Sequence, residues 1–510
     1  MQTLKTNIAS LIIEALMQMG IEDFVVCPGS RNASFVKYLE GSKPYYLYEE
    51  RSAAFFALGL SRRTKKPVAV ITTSGTAAAE LLPAVMEAHY TNVPLILITA
   101  DRPRRFRGTG APQSCEQVNL YGPYVSLSLD LSAHEPLDLS GWDQKSPLHL
   151  NVCLEDPNSK NEPLIHHSNN NTTTLDQFFE TVLNPLIVVG TLETCERESV
   201  SNFLLEVGCP IYLEGVSGLR ENNSLKHLQI KNPNGLLQGY EYPVDGVLRI
   251  GGVPTNRLWR DLEETDQIQV FSISNLPFKG LTYGQFLHTN LELFFTGYEV
   301  KKEFPLAKKW LDQDTNFQNQ LQNLYATEPS ASQSLIHALS KKLPLKAHIY
   351  LGNSLPIREW DLASTFEDKQ FQISASRGLN GIDGQMSTFF GLCNKAKESF
   401  AILWDLTSLY DMAAPWILTQ MNDVSVTVIV INNGGGKIFN GMFASDVFQN
   451  KHNLNFKPLA DMWNMEYELW DRQIKDLKPS NKPRLIEIIP DNQATDRFHK
   501  KMRSMLDIIC

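Results

Sequence analysis

Apolar residues gather in short continuous runs, each closed by a turn of Gly, Pro, Asn or Asp and followed by a helix-like stretch. FVVCPGSR (24–31), PVAVITTSGT (67–76) and VPLILITADRP (93–103) set the pattern, and AAAELLPAVMEAHY follows the second of them. Runs without polar alternation suit parallel strands that are covered on both faces. The pattern resumes in NPLIVVGT, CPIYLEG, DGVLRIGG and QIQVFSIS, then in HIYLGNS, FQISASRG, FAILWDLTS, VTVIVINNGGG and RLIEIIP. The polar segment HHSNNNTTT (166–174) reads as a linker between the first two sets. A Gln-rich helical stretch (308–323) closes the second set. The fold predicted is α/β, with three doubly wound parallel-sheet domains at 1–170, 175–325 and 330–510.

Composition narrows the function classes. A chain of 510 residues, 43% hydrophobic and 20% charged, reads as soluble and globular. A net charge of −9 argues against nucleic acid as partner, because phosphate binding needs a basic face. The seven cysteines include no C-x-x-C pair, which suits a reducing cytoplasm. The N-terminal stretch reads as an amphipathic helix without the basic start of a signal peptide. No run approaches about 20 apolar residues, so no membrane span is expected.

The chemistry concentrates at strand ends, where open α/β sheets bind ligands. Asp405 follows FAILW, and the pair Asn432–Asn433 follows VTVIVI; Asp405 and Asn433 are 28 residues apart. In a βαβ unit that spacing sets both at the ends of adjacent parallel strands. A carboxylate and an amide oxygen there can share a hard cation, Mg²⁺ or Mn²⁺. Gly434, Gly435 and Gly436 allow close approach of backbone to a ligand. Either turn alone reads as an ordinary strand-end turn. Together they resemble the motif of thiamine diphosphate enzymes, with Trp404 where that family usually has Gly.

The resemblance gives Glu50, in YLYEERSAAFFALG (46–59), a role. In such enzymes a buried carboxylate bonds N1′ of the aminopyrimidine and favours the tautomer that activates thiazolium C2. Without the resemblance, an acid here is a helix-start residue favoured by the dipole, as Glu49 is expected to be.

Finer motifs occur in order: CPGSR (27–31), TSGTAAAELLPAV (73–85), LITADRP (97–103), GAPQ (110–113), GNSLPIR (352–358), SRGLNGIDG (376–384), DLTSLYD (405–411) and NNGGGKIF (432–439). In these the chain is similar to the 2-succinyl-5-enolpyruvyl-6-hydroxy-3-cyclohexene-1-carboxylate synthase family of menaquinone biosynthesis. The resemblance implies decarboxylation of 2-oxoglutarate and 1,4-addition of the succinyl unit to isochorismate. It also implies a homodimer or homotetramer with active sites at the subunit interface.

Both substrates are polyanions, and Arg31, Arg102, Arg358 and Arg377 fall at matching positions. Ser30, Gln113, Asn353 and Ser354 match polar substrate positions, and Arg257 matches a basic one. Asn256 and Pro112 replace the family's usual Lys and Asn. Asn32 is placed to cap the helix after CPGSR. Ile382 matches the apolar wedge that bends the cofactor, and Ile438 and Phe439 match residues lining its pocket. The same resemblance implies cofactor contacts from Thr76, Leu406, Thr407 and Gly435, with Gly435 joining Asp405 and Asn433 around the metal. His149 reads as structural. An acetolactate synthase or 2-oxoacid decarboxylase would share Glu50, Asp405 and Asn433 but leave the Arg set unexplained. A non-catalytic relative would be marked by loss of the activating carboxylate, and Glu50 is retained.

Overall fold

The computed structural model describes residues 8–509, apart from 40, 41, 43, 134, 156–173, 238–241, 266, 395–396, 422–423, 441, 444, 479 and 481. All of the 166–174 linker except Thr174 therefore lies outside the described residues. Thr174 itself caps the helix Leu175–Thr181, its side chain accepting from the Gln177 N–H.

Every apolar run becomes a strand of one of three all-parallel sheets. The first has the spatial order Tyr45–Tyr46, Phe24–Val26, Val68–Thr72, Leu95–Asp101, Leu148–Cys153, Leu127–Leu131. The second runs Gln285–His288, Gln269–Ser274, Gly246–Ile250, Pro185–Val189, Ile211–Leu213. The third runs Gln372–Ser374, His348–Leu351, Ser399–Trp404, Val426–Ile431, Arg484–Ile489, Glu466–Asp471. Numbered along the chain within each sheet, the first and third share the order 2-1-3-4-6-5, and the second begins the same way as 2-1-3-4-5. The order reverses between strands 1 and 3 of each sheet, and a crevice opens at such a point. In the third sheet, the turns on either side of it carry Asn353 and Asp405.

The chain forms two compact units. One holds Met1–Glu162 with Gly435–His452; the other holds Pro163–Gly434 with Asn453–Cys510. In the first, helix Ile8–Gln18 buries Ile12, Ile13 and Leu16 with Phe24 and Val26, and Phe448 joins the same core. In the second, helix Lys308–Thr327 serves two cores. Trp310 packs with the middle sheet, and Phe317, Leu321 and Leu324 pack with the third. Two side chains tie these two sheets together. The Gly215 N–H donates to Asp361 Oδ1 at 2.7 Å, and Arg220 Nη1 donates to the Thr365 carbonyl at 2.9 Å. Among the described residues, no helix is long and apolar enough to cross a membrane, and six cysteines are free.

Candidate active site

In the first unit the chain leaves strand Phe24–Val26 through CPGSR. A Cβ on Gly29 would sit 2.7 Å from the Thr73 Cβ, so only Gly fits between these two strand-end turns. Asn32 stands at the cap position of helix Ala33–Tyr38 but makes no side-chain cap bond, which corrects the sequence expectation. Its Oδ1 accepts the Gly29 N–H at 2.8 Å and its Nδ2 donates to the Cys27 carbonyl at 2.9 Å. The amide closes the turn that presents half-buried Ser30 and Arg31, and Arg31 Nη1 donates to the Leu154 carbonyl at 3.0 Å.

Two adjacent acids start helix Glu50–Thr64 and do different work. Glu49 is the cap, its Oε2 accepting the Ser52 N–H at 2.8 Å. Glu50 is the first helical residue and only 9% exposed. Burial first, then the Glu50 and Glu49 charges, push the Cys27 thiol well above its ordinary pKa, which sets Glu50 near the start of CPGSR.

Thr76 opens the helix after Val68–Thr72, behind Gly75 at φ 90°. A Cβ on Gly75 would meet the Cα of Gln113 at 3.4 Å, and the Gly75 N–H donates to buried Gln117 Oε1 at 2.9 Å. Gln113 is itself left-handed, at φ 55°. Pro112 keeps a backbone acceptor for Arg102, whose Nη1 reaches its carbonyl at 2.9 Å while the guanidinium lies 4.0 Å over the Phe106 ring.

Asp101 of the TADRP motif is buried and scaffolds this sheet end. Its Oδ2 accepts from Asn151 Nδ2 at 3.0 Å and from Arg107 Nη2 at 3.2 Å. Asp101, Asp130 and Cys153 lie close enough together to suggest a metal cluster. The Arg107 guanidinium already supplies the cation there, at 2.6 Å from Asp130 Oδ1 and 3.2 Å from Cys153 Sγ. His149 bonds Thr99 at 2.8 Å and Ser128 at 3.2 Å, and burial lowers its pKa to about 3. It is a neutral structural residue. Gly435, at φ 132°, belongs to this unit; a Cβ there would lie 2.4 Å from the Gln449 carbonyl oxygen. Phe439 packs on Phe443 and Phe448, with half-buried Ile438 beside it in sequence.

In the second unit, Asp405 follows strand Ser399–Trp404 and is fully buried. Its Oδ1 accepts the Leu406 N–H at 2.6 Å, and its Oδ2 accepts the N–H groups of Asn433 at 3.1 Å and Gly434 at 2.9 Å. The register Trp404↔Ile431 brings the two turns side by side. Leu406 and Thr407 are buried behind them. The Asn pair divides its work. Asn432 Nδ2 donates to buried Glu487 at 2.7 Å and to the Leu454 carbonyl at 2.8 Å. Asn433 Oδ1 accepts from Trp404 Nε1 at 2.9 Å. Trp404 has φ −91° and ψ 164°, ordinary extended backbone, so the bulky residue causes no strain.

Across the switch point, Asn353 is fully buried and organises a loop. Its Nδ2 donates to the carbonyls of Ser376 at 2.9 Å and Gly381 at 2.7 Å, and its Oδ1 accepts from Arg377 Nη1 at 2.6 Å. Ile382 follows Gly381 and is half-buried. Ser354 holds φ 74° and ψ −121°, a costly region for an L-residue that concentrates at functional turns. Arg358 is one helical turn on, its Nη1 donating back to the Ser354 carbonyl at 2.5 Å. Arg257 is not gathered into this group. Its side chain is 75% exposed and pairs with Asp261 at 3.1 Å. Asn256 spends its amide locally, with Nδ2 donating to the Pro233 carbonyl at 2.7 Å.

Sequence reasoning missed Glu214, although YLEG carries the same signal as FAILWD, an acid after an apolar run. Glu214 Oε1 accepts the N–H groups of Thr255 at 2.5 Å and Asn256 at 3.1 Å, while Oε2 is buried with no hydrogen-bond partner among the described residues. Burial and the neighbouring Asp361 raise its pKa far above the carboxylate range, against the pull of Arg377. Burial lowers Arg377 to about 10, and Glu214 opposes that shift. Glu214 and the proposed substrate arginine Arg377 thus bias each other's ionisation within one buried group.

Residues 6–120 match the family model described as thiamine pyrophosphate enzyme, N-terminal TPP binding domain. The chain is 39% identical to the 2-succinyl-5-enolpyruvyl-6-hydroxy-3-cyclohexene-1-carboxylate synthase of Bdellovibrio bacteriovorus, over 97% of this chain and 98% of that one. The synthase of the same name from Akkermansia muciniphila is 35% identical over 95% and 96% of the two chains. That from Lysinibacillus sphaericus is 29% identical over 98% and 97%.

Proposed function

The chain belongs to the 2-succinyl-5-enolpyruvyl-6-hydroxy-3-cyclohexene-1-carboxylate synthase family, and from that premise we propose that it decarboxylates 2-oxoglutarate and adds the succinyl unit to isochorismate in a 1,4 sense. The relation to the Bdellovibrio synthase, at 39% identity over nearly the whole chain, carries this reading. Thiamine diphosphate, when bound, supplies the nucleophilic carbon and the electron sink for both half-reactions.

The residues at the third sheet's edge fit the divalent cation that would anchor the diphosphate. Asp405 is a buried carboxylate fixed by three N–H groups, and Asn433 offers an amide oxygen. An all-oxygen set suits Mg²⁺ or Mn²⁺. The Gly435 carbonyl is the third proposed ligand, and Thr76, Leu406, Thr407, Ile382, Ile438 and Phe439 the proposed cofactor contacts. Glu50 holds a carboxylate at a buried helix start, suited to sharing a proton with the aminopyrimidine. Arg31, Arg102, Arg358 and Arg377 bind substrate carboxylates, with Ser30, Gln113, Asn353 and Ser354 orienting them. Arg257 is the weakest member of that set, since Asp261 already pairs with it. We read the domains as 1–170, 175–325 and 330–510, and the active enzyme as a homodimer or homotetramer.

The test is direct. Full-length protein with thiamine diphosphate, Mg²⁺, 2-oxoglutarate and isochorismate should consume isochorismate and release carbon dioxide. Omission of 2-oxoglutarate or of thiamine diphosphate should stop isochorismate loss. Turnover of pyruvate with no loss of isochorismate would overturn the reading in favour of another thiamine enzyme.

A further inference from the structure

Strand Ser399–Trp404 ends in Trp where thiamine diphosphate enzymes usually carry Gly, directly before the proposed cation ligand Asp405. The ring is 3% exposed and packs in one core with Ile402, Ile429, Ile431 and Ile488. Its Nε1 leaves that core at one point and meets Asn433 Oδ1 at 2.9 Å. An indole N–H can only donate, so the Asn433 atom facing it is oxygen rather than nitrogen. An amide nitrogen does not ligate a hard cation, whereas the oxygen does. That oxygen has two lone pairs, and the indole takes one. The Asn433 backbone is pinned as well. Its N–H donates to Asp405 Oδ2 at 3.1 Å, and its carbonyl accepts from Asn492 Nδ2 at 3.3 Å.

We propose that Trp404 is a positioning residue for the divalent cation, its indole N–H holding the Asn433 amide with the oxygen presented as ligand. A Gly at the position has no side chain to make this bond. The inference rests on the proposed function and deepens it. The plainer account is a buried Trp that satisfies its N–H with the nearest acceptor. The two accounts differ in what the N–H does for metal affinity.

Mn²⁺ serves as the probe. Free Mn²⁺ is counted by its paramagnetic resonance signal, in the presence of thiamine diphosphate, for the wild-type full chain and Trp404→Phe. β-(3-Benzothienyl)alanine placed at 404 keeps the bicyclic ring and deletes only the donor, so folding of this variant does not depend on filling the smaller Phe site. Expected is a roughly tenfold weaker Mn²⁺ affinity in both variants. In an Asn433→Ala background the same replacement should change affinity less than about twofold, because the partner is gone. Mn²⁺ should also quench a tryptophan emission component that is missing from both variants. Wild-type and benzothienyl proteins that bind Mn²⁺ within twofold of one another would overturn the inference and leave the proposed function standing. A wild-type protein that takes up neither Mn²⁺ nor thiamine diphosphate would overturn the proposed function, and this inference with it.

Discussion

Arg377 Nη1 donates to Asn353 Oδ1 at 2.6 Å, so the GNS turn aims the guanidinium of the SRG loop. The same buried amide holds that loop through the Ser376 and Gly381 carbonyls. Asn353→Ala and Arg377→Ala should each raise the KM for an anionic substrate by about 10- to 100-fold, the value of one lost charge-assisted bond. Only Asn353→Ala should also lower the Tm, because it removes both amide bonds that hold the loop and leaves the Ser376 carbonyl without its Asn353 donor, while Gly381 keeps the Gln385 amide. The double variant should show a KM no worse than about twofold above the poorer single variant. Full additivity in steady-state kinetics would mean that Asn353 does not position Arg377.

Glu50 and Glu49 separate a chemical from a structural carboxylate within one helix start. Glu50→Gln keeps the shape and the burial but cannot share a proton. Cofactor affinity, read by calorimetry, should stay within about threefold, while kcat falls by about 100-fold or more. Glu49→Gln keeps an oxygen for the Ser52 N–H and should leave kcat close to wild type. Normal turnover in Glu50→Gln would end the assignment of Glu50 as activator.

The central strands were legible because burial on both faces leaves uninterrupted apolar runs, as in VTVIVI before Asn432. Of the outer strands, Ile211–Leu213 and Gln372–Ser374 were legible in CPIYLEG and FQISASRG, but others were not. Tyr45–Tyr46 is two exposed residues long, and Glu466–Asp471 buries only Trp470 of its six, so neither produces a run. The site was legible where ligand residues sit at strand ends, as Asp405 and Asn433 do. It was illegible where a residue's use depends on a distant partner. Asn32 carries a cap signature, yet the nearby turn takes its amide. The acid of YLEG shows its importance only when the third sheet brings Arg377 and Asp361 toward it. The identity of Trp404 was plain from the sequence, but its bond to Asn433 needed the strand register.

His149 makes the first unit sensitive to acid. Its pKa falls from the ordinary 6.5 to about 3 because burial disfavours the charged ring. The unfolded chain therefore binds a proton that the folded chain refuses. Stability from this group is complete above pH 6.5 and drains away as pH falls toward 3, by on the order of 4 kcal/mol at the lower end. His149→Gln keeps polar contact with Thr99 and Ser128 without a titrating ring. Its Tm should fall less steeply than wild type between pH 6.5 and 4. Equal slopes in thermal unfolding would show that His149 does not carry the effect.

Glu214 should act in the opposite direction. Burial beside Asp361 raises its folded pKa above its unfolded value, so the folded chain holds the proton more tightly. The stabilisation that goes with that proton is present at low pH. It is lost as pH climbs from the ordinary carboxylate range through the raised folded pKa. The Arg377 charge reduces the loss but does not reverse it, because burial is the largest cause of the shift. Glu214→Gln retains an oxygen for the Thr255 and Asn256 N–H groups and removes the titration. Thermal unfolding of the second unit between about pH 5 and 8 should therefore slope downward in the wild type and be flatter in Glu214→Gln. A variant whose stability falls just as steeply with rising pH would show that the proton resides elsewhere in the Glu214, Asp361 and Arg377 group.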